Sequence, residues 1–140
     1  MIPNTDDALR MLCQRLMTQL LPDLKTEYSQ ADGLLLGLLM NAIADEIASG
    51  INHRMEDIAD MARLLKQGSA FHHTGYVADQ APASFKLRDV NALHDQFTRE
   101  LIKLHEIVEQ ASTEEAAELD SEIWRYLATT AGRHTITALG

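Results

Sequence analysis

At 140 residues, with 46% apolar and 24% charged side chains, the chain is long enough for one hydrophobic core and ordinary for a globular domain. Twelve basic against 21 acidic side chains leave a formal charge of −9, which repels phosphate backbones and anionic lipid and argues against nucleic-acid and membrane partners. The single Cys13 excludes an internal disulfide and no charged-then-apolar leader opens the chain, so a reduced cytoplasmic setting is expected.

Leu, Ala, Met and Glu are abundant, and only three prolines and seven glycines interrupt them, which predicts an all-α fold. A first helix is expected over 5–21. Thr5 is its candidate N-cap, Asp6 and Asp7 suit its positive end, and Pro22 stops it. Leu9, Leu12, Cys13, Leu16, Met17 and Leu20 recur at three and four and make one apolar face, on which Cys13 reads as an inert buried thiol. A polar connection carrying Tyr28 follows.

The stretch 31–51 is the expected centre of the fold. Leu34, Leu35, Leu36, Leu38, Leu39, Met40, Ala42 and Ile43 point in most directions around a helix, as in a helix enclosed by others. Asn41, Asp45 and Asn52 fall near one line that faces water or a polar cavity. Gly33 and Gly37 share a face on which a neighbouring backbone can approach closely. The uninterrupted apolar run is shorter than the roughly 20 residues of a membrane span, so tight packing in a soluble core is the reading preferred. Gly50 is a candidate terminator. A third helix over 53–66 would carry Met55, Ile58, Ala59, Ala62 and Leu65 inward, either as a separate rod or as a continuation, because one glycine costs a helix only about 1 kcal/mol. Of the methionines, Met11, Met17, Met40, Met55 and Met61 read mostly as core filling.

Residues 68–84 break the helical pattern with two glycines, Pro82, His72, His73 and two aromatics, and read as a long loop packed through Phe71, Tyr76 and Val77. A helix over 89–110 has the most regular period, through Val90, Leu93, Phe97, Leu101, Leu104 and Val108, with Asp89 or Ser84 as its cap. Ser112 and Glu115 match a capping box for a last helix over 113–130, with Ala116, Leu119, Ile123, Trp124, Leu127 and Ala131 buried. Gly132 ends it, and 133–140 is expected as a loose tail in which Ile136 and Leu139 can still dock. The run Glu106, Glu109, Glu114, Glu115, Glu118, Asp120, Glu122 has no basic residue between Lys103 and Arg125. It reads as a solvated face, or as a docking surface for a basic protein partner.

Recognisable catalytic motifs are missing. There is no glycine-rich phosphate loop, no G-x-S-x-G, no H-E-x-x-H, no cysteine pair for zinc and no Glu-x-x-His of the kind found in di-iron bundles. Weaker groupings remain. His53 and Asp57, like His105 and Glu109, are four apart and share helix faces. They are the candidate metal ligands, with ligands from several helices needed to complete a site, and Glu46 would join His53 and Asp57 if the helix ran through Gly50. Arg54, His72, His73 and Tyr76 would form a small anion or ligand pocket if the long loop folds over the third helix.

The expectation is a single domain, a compact bundle of four to five helices around a central, nearly all-round apolar helix. Its expected role is a non-catalytic interaction or assembly protein that forms a homodimer, without cofactor, nucleic acid or membrane. A ligand-binding helical domain with its pocket near Arg54 and the 68–84 loop is the first alternative. A metal-binding bundle or enzyme using His53, His94, His105 and nearby carboxylates is the second.

Overall fold

The computed structural model describes residues 4–73 and 75–136, with the backbone alone for 75 and 76. The fold is all-α, with no strand among the described residues. In order come α1 (Thr5–Arg15), a π turn (Leu16–Leu20), a 3-10 turn (Leu21–Asp23), α2 (Glu27–Gln67), a 3-10 turn (Gly68–Ala70), α3 (Gly75–Ala78), α4 (Leu87–Gln110) and α5 (Glu114–Arg133). The central stretch and the third expected helix are therefore one helix of 41 residues. Gly50 does not end it, because helix formers flank it on both sides and the Glu46 side chain lies over it, where a Cβ would meet the carboxylate at 2.5 Å. The chain divides into two units, Met1–Gly50 with Thr135–Gly140, and Ile51–His134.

In the first unit α1 starts one residue early. Asn4 is its N-cap by backbone, and the Asn4 side chain donates to Asp7 at 3.1 Å, so Thr5 lies inside the helix. The Thr26 hydroxyl accepts from the Ser29 N–H at 3.0 Å, which starts α2 at Glu27 and takes Tyr28 into the helix, not the connection. Gly33 and Gly37 allow the close approach their spacing suggests. A Cβ would sit 2.6 Å from Leu21 Cδ1 at the first and 2.7 Å from Met17 Sδ at the second. The buried Cys13 thiol donates to the Gly37 carbonyl at 3.2 Å. Of the polar line on α2, Asn52 faces water, whereas Asn41 and Asp45 are half-buried beneath Arg10, which donates to Asn41 at 3.1 Å and to Asp45 at 2.8 Å.

The second unit holds the core. Ile58, Met61, Leu64 and Leu65 of α2 pack with Val90, Leu93, Phe97, Leu101, Leu104 and Val108 of α4, and with Ala116, Leu119, Ile123 and Tyr126 of α5. The six α4 positions are those its period predicts. Gly68 lets the chain leave α2 against Leu104, whose Cδ2 lies 2.4 Å from where a Cβ would be. Val77 and Ala78 are buried and Phe71 packs against the same core, so this part of the loop is packed. The α5 cap is Thr113, which accepts from the Ala116 N–H at 3.2 Å, not Ser112. On that helix Tyr126 replaces Trp124 as the buried aromatic. Trp124 is 56% exposed, its ring edge-to-face with His105 at 5.5 Å, and Leu127 and Ala131 also face outward. The helix passes Gly132, and Arg133 belongs to it, not to a loose tail. Leu139 lies outside the described residues.

Candidate functional site

Two arrangements stand out, one in each unit. The first corrects the expectation that residues 34–43 are enclosed. Leu34, Leu35, Leu36, Leu38, Leu39, Ile43 and Ile47 are 40% to 52% exposed. Only the side carrying Gly33, Gly37 and Ala44 is buried. The physical reason is geometric: an all-round apolar helix needs neighbours on every side, and α1 with its following turns covers one. No charged residue occurs between Asp32 and Asp45, so the uncovered face is apolar over three turns. Among the described residues α2 alone is long and apolar enough to cross a bilayer by length and composition.

The second arrangement is polar and centres on Asp57, whose side chain is fully buried. Asp57 Oδ2 accepts from Thr130 Oγ1 at 2.8 Å and lies 3.2 Å from His94 Nε2 and 2.7 Å from His134 Nε2. Arg133 Nη1 donates to Oδ1 at 2.8 Å. Arg133 also reaches Asp60 at 2.7 Å and Glu56 at 3.2 Å. Burial alone would raise the Asp57 carboxyl, but hydrogen bonds from His134, Arg133, Thr130 and His94 outweigh it and hold the group below the usual carboxylate range. The nearby Tyr126 hydroxyl is pushed up to about 12 by burial and by the Asp57 charge. His53 stands edge-to-face against His134, ring centres 5.8 Å apart. A cleft of about 420 Å³ lined by Arg54, Asn91, His94, Asp95 and His134 opens beside the cluster.

The residues singled out in the sequence are distributed as follows. Of the expected anion pocket, Arg54 lines that cleft, whereas His72 bonds Glu100 on α4 at 2.9 Å. Glu100 is held below the usual range chiefly by its hydrogen bond from Lys103, against burial, with His72 adding to the effect. His73 is exposed, and Tyr76 falls in α3 with its side chain outside the described residues. Of the metal candidates, Asp57 is brought to His94 and His134 while His53 abuts that group. His105 lies 3.7 Å from Glu109 and 2.9 Å from Asp120, a second, more exposed group. Glu46 lies over Gly50 on its own helix. His134, Thr130 and Arg133 escape sequence reasoning, since nothing in helical spacing links them to Asp57. Comparison with protein-family models, curated proteins and solved structures gave no match.

Proposed function

We propose that this chain is a non-catalytic helical assembly protein that pairs with a second copy of itself through the 34–47 face of α2. The observation that carries the reading is the row of seven half-exposed aliphatic side chains on that helix. They present on the order of 600 Å² of apolar surface, at the top of what single chains commonly expose. Two copies that covered all of it would bury at most on the order of 1,200 Å², the lower bound of specific interfaces. The first unit gives a second reason. Its buried apolar side chains are Cys13 and Ala44 alone among the described residues, too few to stabilise a helical hairpin without a further partner. A second copy suits the face because its aliphatic 34–43 part, which carries no charge, is complementary to itself, as a two-fold interface requires. The Arg10–Asp45 ion pair flanking the stretch favours water over lipid around it.

Light scattering of the purified chain in detergent-free buffer tests this. The expected result is a dimer at micromolar concentration that becomes a monomer in Leu35→Glu/Leu39→Glu, with helical circular dichroism retained. A monomeric wild type, a dimer that survives both substitutions, or partition into zwitterionic vesicles in place of pairing would overturn it.

A further inference from the structure

We propose that Asp57, His94 and His134 form a binding site for one divalent first-row transition ion. The donor set is two imidazole nitrogens and one carboxylate oxygen, which suits zinc or a neighbouring ion and leaves a coordination position open. One ligand atom from each of His94, His134 and Asp57 lies within 4.8 Å of the others, and both Nε2 atoms approach Asp57 Oδ2. Ligand bonds of about 2.1 Å in tetrahedral array place neighbouring ligand atoms about 3.4 Å apart. The His94–Asp57 separation of 3.2 Å nearly meets this, and the 2.7 Å between His134 and Asp57 needs only a small outward turn of an imidazole at the helix end.

The surroundings resemble an outer shell that is already built. Arg133 holds Oδ1, the oxygen that would not bind the ion, and Thr130 donates to Oδ2, so the carboxylate is fixed in one orientation. Arg133 brings a positive charge, but it is shared by Asp57, Asp60 and Glu56, so three carboxylates face one guanidinium and the locality stays attractive to a cation. The cleft beside Arg54 and Asp95 reaches both imidazoles and gives the ion a path in. The three ligands come from α2, α4 and the residue after α5, so an ion would cross-link these three helices. The His105, Glu109 and Asp120 group is the natural control, because it has similar donors, a half-exposed glutamate and, among the described residues, no comparable second layer.

Calorimetric titration of the full chain, stripped of metal by chelator, with zinc chloride tests the assignment, and cobalt absorption reports the geometry. The expected result is one ion per chain with the visible bands of a nitrogen–oxygen tetrahedral site. His94→Gln and His134→Gln should each weaken binding tenfold or more, and the pair should abolish it. His105→Gln should leave it unchanged. Circular dichroism of the same samples reports folding, and His134→Gln, at a half-exposed helix end, decides the matter if His94→Gln unfolds. No binding at micromolar zinc, binding that survives the double substitution, or binding lost with His105→Gln overturns the proposal.

Discussion

Asp57 shows how much a single buried carboxylate can organise. A charge removed from water is costly unless it is paired and hydrogen-bonded, and here donors from α4 and α5 supply both. Its pKa is lowered in the folded chain, so the native state binds fewer protons than the unfolded state in mild acid. The stabilisation is therefore complete above the unfolded carboxylate value near 4 and is lost as the pH falls through the lower folded value. Asp57→Asn should cost roughly 3 kcal/mol at pH 7, since Arg133 and the imidazoles lose their charged acceptor. The cost should shrink as the pH falls below about 4. Urea unfolding of both proteins at pH 7 and in mild acid measures this, and parallel pH dependences would reject it.

At the scale of elements, what could be read from the sequence was whatever repeats along one helix. The six apolar positions of α4 recur at three and four residues and all six are buried, because packing against two neighbours needs only one stripe. End signals were less legible. Ser112 and Thr113 both precede a glutamate-rich turn, and the structure uses Thr113, whose hydroxyl reaches the Ala116 N–H. Thr113→Ala should therefore destabilise the chain by about 1 kcal/mol while Ser112→Ala changes little, as paired urea titrations would show; equal effects would contradict the assigned cap. The polar cluster was half legible for the same reason. His53 and Asp57 share a face of one helix, but Asp57 and His134 are 77 residues apart in sequence and meet only through tertiary packing. Gly132 suggested that the helix had stopped before Arg133 could reach its partners.

For the molecule as a whole, the two units differ in how much apolar surface they hide. The Ile51–His134 unit has a contiguous core, whereas the other leaves its leucines half exposed on its part of α2. An all-round apolar pattern calls for helices on every side, and among the described residues those helices are missing from the side where seven aliphatic side chains stay 40% to 52% exposed. If a second copy supplies them, protection of the 27–50 backbone must depend on protein concentration, since amides that exchange through the dissociated chain follow mass action. For a mostly dimeric sample, dilution by about a hundredfold should speed their exchange roughly tenfold, because the monomer fraction scales with the inverse square root of concentration. Amides of α4, held by the core of the second unit, should exchange at one rate throughout. Hydrogen exchange read by mass spectrometry at two concentrations separates the cases. Equal protection of 27–50 at both would mean that the helix is stable with its leucines in water, and the pairing surface would lose its physical basis.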